Sequence, residues 1–156
     1  MQKNGPCLWF NDNAEEAANF YVSIFKNSKI TGISRYGDAG PGPKGSVMVV
    51  TFQLDGEDFM GLNGGPIFKF SEAVSFVVKC ETQAEIDRFW EKLSEGGKPG
   101  VCGWLKDKFG LSWQIVPSQI DEMMKGDPAR SNRVMAAVMK MTKLDIAVLK
   151  KAYEQE

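Results

Sequence analysis

The 156-residue sequence contains no histidine. That absence removes the commonest general base near neutral pH and the commonest transition-metal ligand. Cysteine is sparse: Cys7, Cys80 and Cys102 are odd in number and form no CxxC pair. This argues against a disulfide framework and points to reduced thiols in the cytoplasm. Excess charge of either sign is also missing, since 19 Lys and Arg stand against 20 Asp and Glu for a net charge of −1. No strong field therefore draws the chain to nucleic acid or to an acidic membrane. No apolar run approaches the roughly 20 residues needed to span a bilayer. The opening MQKNGPCLWFNDNAEEA lacks the apolar stretch and small-residue cleavage site of a secretion signal. P-loop and GxSxG motifs are absent, and the glycine-rich LNGGP at 62–66 does not open a helix, as a Rossmann cofactor turn must.

What is present suits a globular domain. Hydrophobic residues make up 43% and charged residues 25%, enough for one sizeable core, so one domain or one domain with an appendage is expected. Residues 13–25 read as a helix that Asn13 caps, with Glu15 and Glu16 in its first turn and Ala17, Phe20, Tyr21 and Ile24 on one face. Alternation predicts strands at 29–36, 46–54 and 58–62, broken by the mobile loop GDAGPGPKG at 37–45 and the hairpin signal Asp55-Gly56. A second helix over 83–93 follows Thr82, with Glu85 at the capping-box position and Ile86, Phe89, Trp90 and Leu93 on one face.

The two helices are related. A shift of 69 residues carries Phe20-Tyr21 onto Phe89-Trp90, Ala17 onto Ile86, Ile24 onto Leu93 and, in the preceding strand, Leu8 onto Val77. An internal repeat of strand, helix and further strands is the main architectural signal. The C-terminal stretch is different. Ser118–Met124 predicts a short helix capped by Ser118, Asp127-Pro128 opens a second with Val134, Met135, Val138 and Met139 on one face, and Thr142 with Asp145 opens a third. These helices are read as packing on the domain or on a second subunit, with a target-binding groove as the sharper alternative.

The stretch VCGWLKDKFGLSWQIVP at 101–117 looks like a β-hairpin, its apolar runs 101–105 and 111–116 turning at Lys106–Gly110, with Gln114 interrupting the second run. Together with CLWFNDNAEEAANFYVSIFKNSKI and LNGGPIFKFSEAVSFVV, it resembles the PhnB-like branch of the vicinal-oxygen-chelate superfamily. That superfamily includes glyoxalase I, extradiol dioxygenases and bleomycin-resistance proteins, and this branch often carries the label 3-demethylubiquinone-9 3-methyltransferase. The likeness covers nearly the whole chain. It implies an α+β fold of paired βαβββ modules, at about 1–66 and 70–117 within a domain 1–117, followed by a helical extension over 118–156. It also implies curved sheets enclosing a cleft, usually in a homodimer.

Glyoxalase-type relatives place four metal ligands, His, Glu or Gln, at matched strand positions. Carried over, these fall near Pro6, on Ser75, on Gln114 and on Met60. Only Gln114 suits a metal, so the expectation is no metal and no cofactor. A strand alternates its faces, so Trp113 and Ile115 should meet the helices while Gln114 points into the cleft with Ser112 and Val116. There its amide bonds either a ligand or a neighbouring backbone group. Ser75 is likewise a structural hydroxyl or a ligand contact, Asn63 a turn residue or a cleft donor, and Trp104 a core residue or a cleft wall. Cys102 is read as a small buried hydrophobe that lacks a histidine partner for reactivity. Three functions compete: binding of a small organic molecule in a metal-free cleft; a glyoxalase- or dioxygenase-type lyase or isomerase, or a base such as Asp58 or Glu72 raised in pKa by burial; and a dimerising scaffold. The methyltransferase label would require S-adenosylmethionine.

Overall fold

A computed structural model describes residues 1–155. The chain divides into two compact units, Met1–Phe70 and Ser71 onward. The first contains strand β1 (Cys7–Phe10), helix α1 (Ala14–Ile24), and strands β2 (Lys29–Arg35), β3 (Val47–Leu54) and β4 (Glu57–Asn63). The second repeats the order as β5 (Ser75–Cys80), α2 (Gln83–Ser94), β6 (Lys98–Pro99), β7 (Trp104–Lys106) and β8 (Ser112–Pro117). It then adds α3 (Ile120–Met123), α4 (Pro128–Val138) and α5 (Ile146–Glu154).

The sheets are topological copies, ordered β1-β4-β3-β2 and β5-β8-β7-β6. In each, the first strand runs parallel to the last and the remaining pairs are antiparallel. A parallel pair needs a crossover connection, which α1 and α2 begin in their respective modules. Each helix buries one face on its own sheet. Ala14, Ala17, Ala18, Tyr21 and Ile24 are buried in α1, and Ile86 and Leu93 in α2.

Burial refines the repeat. Leu8 and Phe10 are buried on β1, as are Val78 and Cys80 on β5, whereas Val77 is exposed. The strand equivalent of Leu8 is thus Val78, at a shift of 70, while Ala17 and Ile86 keep the shift of 69. The second module has one residue fewer between strand and helix. Across the sheets, Leu8 pairs with Gly61 and Val78 with Ile115, so Met60 and Gln114 are equivalents, as the alignment of FMGLN with WQIVP requires.

Other local expectations are corrected. Asn13 makes no side-chain cap; the first helical N–H, of Ala14, instead donates to Asn63 Oδ1 at 2.9 Å, from the end of β4. Residues 101–103 are not strand, because Cys102 and Gly103 turn with φ of 60° and 83°. Helix α3 starts at Ile120 without a side-chain cap, and α5 is capped by Asp145, which accepts from Val148 N–H. Thr82 does cap α2, accepting from Glu85 N–H at 3.2 Å, and Asp127 caps α4.

Candidate functional site

The site grows from β8. Trp113 and Ile115 are buried against the α2 side, so alternation turns Gln114 and Val116 to the opposite face. Register sets Trp104 of β7 and Val77 of β5 on either side of Gln114. Gln114 Nε2 donates to Ser75 Oγ at 3.0 Å. Among the described residues this is the amide's one hydrogen-bond partner, so its other end is open to the groove.

The hairpin that carries these residues is braced by Asp107. This buried carboxylate accepts from Phe109 N–H at 2.8 Å, Leu111 N–H at 3.1 Å and Trp113 Nε1 at 2.9 Å. The turn is thereby fixed, and with it the register of β7 on β8.

The C-terminal helices supply the facing wall. Met123, Val134, Leu144 and Leu149 form a buried cluster that reaches Val116 of the sheet. Between helices and sheet lies a groove of about 470 Å³. Val77, Trp104, Gln114 and Val116 line its sheet side, while Met124, Met135 and Met139 face them. At its rim Lys79 Nζ meets Asp121 Oδ2 at 2.5 Å, which holds the Asp121 carboxyl below the usual aspartate range. Met135 and Met139 remain exposed in the second unit.

Of the residues singled out in the sequence, the second module brings Gln114, Ser75 and Trp104 together. Asn63 has other work: besides accepting from Ala14 it donates Nδ2 to Val47 O at 3.1 Å, and its own carbonyl accepts from Tyr36 Oη at 2.6 Å. Ser112 lies on the Gln114 face but is buried beside a smaller hollow of about 240 Å³, shared with Trp104, Lys106 and Glu72. Glu72 is not a carboxyl raised by burial. Its ion pair with Lys106 holds it low. The methionine wall was visible in the sequence only as an apolar helix face, because its partner strand is remote along the chain.

The family model described as 3-demethylubiquinone-9 3-methyltransferase matches residues 2–116. The chain belongs to this family. A PhnB protein from Bacillus cereus that bears the same methyltransferase name is 42% identical, over 74% of this chain and 99% of that one, with a TM-score of 0.67. A crystal structure of a Pseudomonas aeruginosa protein is 22% identical over 75% of this chain and 98% of its own, with a TM-score of 0.62. The fold is also that of a fosfomycin-resistance protein from Listeria monocytogenes, described in complex with Mn(II) and sulfate. That protein is 15% identical over 80% of this chain and 97% of its own, with a TM-score of 0.53. No curated protein matches the chain. The paired-module α+β fold expected from the sequence is thus present in this member of the 3-demethylubiquinone-9 3-methyltransferase family.

The donors of this family member do not fit the divalent ion that the resemblance to glyoxalase-type proteins implies. Ser75 and Gln114 share a face, but they offer a neutral hydroxyl and an amide that bond each other. Their first-module equivalents are Gly5, by the strand shift of 70, and Met60, by sheet register, and neither side chain adds a hard oxygen donor. Among the described residues, no three His, Cys, Asp or Glu are grouped to hold a metal. S-adenosylmethionine fits the groove no better. Its carboxylate and ribose hydroxyls call for several convergent polar groups, and this wall is chiefly thioether and aliphatic.

Proposed function

We propose that the chain binds a small, largely apolar organic molecule in the groove of its second module, with no metal at the superfamily position. Ligand sites of this kind are mostly apolar and use a few placed polar groups for orientation. The observation that carries the reading is Gln114: a half-buried amide among Trp104, Val77 and Val116, tied at one end by Ser75 and open to the groove at the other. Trp104 supplies a flat apolar surface, and the methionines opposite adapt to irregular shapes. In this reading the protein works as a cytoplasmic homodimer. The free thiols Cys7, Cys80 and Cys102 support the compartment, and the exposed Met135, Met139 and Val148 support the pairing. Sedimentation velocity that finds only monomer at micromolar concentration removes the dimer.

The test is a thermal-shift screen with neutral and anionic aromatic compounds, followed by titration of the best stabiliser through tryptophan fluorescence. Gln114→Ala is expected to weaken binding by about 2–10-fold, the worth of one hydrogen bond, while leaving the unliganded melting temperature nearly unchanged. Trp104→Ala should weaken it more. The reading is lost if no compound stabilises the protein, or if Gln114→Ala binds the stabiliser as the parent does.

A further inference from the structure

The groove has a second chemistry that the organic-ligand reading does not use. Cys102 Sγ lies 3.8 Å from Met139 Sδ. Met124 and Met135 line the same cavity as these two residues. The contact is set by backbone. Cys102 N–H donates to Met141 O and Gly103 N–H to Thr142 O, each at 2.8 Å. These bonds clip the turn before β7 to the segment that follows α4. The turn itself is locked in the left-handed region at both residues, and a Cβ on Gly103 would meet Ile115 O at 3.0 Å and Leu144 at 3.1 Å. The thiol is therefore presented to Met139 by a turn that backbone hydrogen bonds hold in place.

We propose that Cys102, Met139 and the neighbouring thioethers form a site for one soft monovalent metal ion, of which Cu(I) is the chemically fitting species. Thiolate and thioether sulfurs select soft ions over the hard divalent ones. Two sulfurs bonded to one ion at about 2.3 Å, at the tetrahedral angle, stand about 3.8 Å apart, which is the spacing already present here. Met135 and Met124, which line the same groove, are the candidates for the remaining ligands. The thiol proton leaves to solvent as the metal–sulfur bond forms, so binding releases one proton and involves no change of oxidation state. Ag(I), with the same filled shell and charge, is a redox-inert probe for the same ligands. The site shares the groove with Gln114 but differs from the glyoxalase-type position in donors and ion, and its titration needs no organic molecule.

The experiment uses the full chain carrying Cys7→Ser, because Cys7 is exposed and would take silver by itself, whereas Cys80 is buried. Ag(I), and Cu(I) under anaerobic conditions, are titrated against a competing chelator. One equivalent should bind. Cys102→Ser should abolish binding, and Met139→Leu should weaken it by at least about tenfold, as loss of a coordinating contact does. X-ray absorption of the Cu(I) form should show more than one sulfur near 2.3 Å. Met139 is largely exposed, so Leu there leaves the core intact, and an unchanged melting curve verifies it. Binding by the Met139→Leu, Met135→Leu double variant as tight as the parent's would mean that the thiol acts alone, and would overturn the site. Retained binding in Cys102→Ser would do so as well.

Discussion

At the scale of single residues, the strongest local constraint is a carboxylate that the sequence displayed only as part of a polar turn. Asp107 sits between Lys106 and Lys108 and reads as solvated, yet it is 2% exposed and accepts three hydrogen bonds. Two of the donors are backbone N–H groups of its own turn, and the third is the Trp113 indole. Removing the acceptor strands all three in the interior, where each unsatisfied group is costly. Asp107→Ala is expected to lower stability by about 2–4 kcal/mol, read from the urea midpoint. Asp107→Asn, which keeps one acceptor oxygen, should recover part of the loss. A variant as stable as the parent would show that the turn is held by strand pairing alone. Asn63 teaches the complementary lesson. Asn13 had the residue type and position of a cap, but its side chain makes no capping bond, and the first helical N–H, of Ala14, is met by Asn63, far away along the chain. Capping from outside the helix leaves no local trace in the sequence.

At the scale of elements, legibility follows the range of the interactions. Helices α2 and α4 and strands β2 to β4 appear close to their expected bounds, because periodicity and caps such as Thr82 and Asp127 act within one or two turns. The face that Gln114 takes on β8 was also readable, since Trp113 and Ile115 fix the core side. The groove was not readable. It depends on how α3 to α5 are fastened to the second module, and that fastening is long-range. Gln83 Nε2 donates to Leu144 O at 3.0 Å and its Oε1 accepts from Ile146 N–H at 2.8 Å. Lys143 Nζ pairs with Asp87 Oδ1 at 2.9 Å, and Lys79 with Asp121. The hydrogen bonds of Lys143 and Gln83 lower the Asp87 pKa, as Lys79 lowers that of Asp121. A carboxyl lowered in the folded state adds stability that is complete above the ordinary aspartate value of 3.8 and is lost as pH falls through the lower, folded value. Both pairs are exposed, so the contribution is modest. Amide-exchange protection in α4 and α5 should therefore hold steady from neutral pH down to about 5 and decline only below about 4. A decline beginning near neutrality would show that other groups do the fastening.

At the scale of the whole molecule, the duplicated plan coexists with divergent interiors. The three thiols show it. Cys80 lies in the core of the second module, and burial pushes its pKa up to about 11. Native protein treated with a thiol reagent at about pH 8 should modify Cys7 and Cys102 but spare Cys80, whose thiolate is scarce and enclosed. Mass spectrometry would locate the adducts. Fast native labelling of Cys80 would mean that the second module opens readily, contrary to its packing. The repeat itself was legible because helix periodicity survives duplication. The one-residue difference between strand and helix was not, because only burial distinguishes Val77 from Val78.

Gly61 carries a consequence for attempts to recombine the halves. A methyl group there would lie 3.2 Å from the Ala14 side chain and 3.3 Å from the Phe10 ring, so α1 rides low on its sheet, with alanines along the contact. The matching position in the other half holds Ile115, beneath a helix that presents Ile86 and Leu93. A chimera that grafts α2 onto the first sheet, or α1 onto the second, would collide in one case and leave a void in the other. The two parts share a blueprint but carry incompatible threads, and any engineered swap has to move a helix together with the strand beneath it.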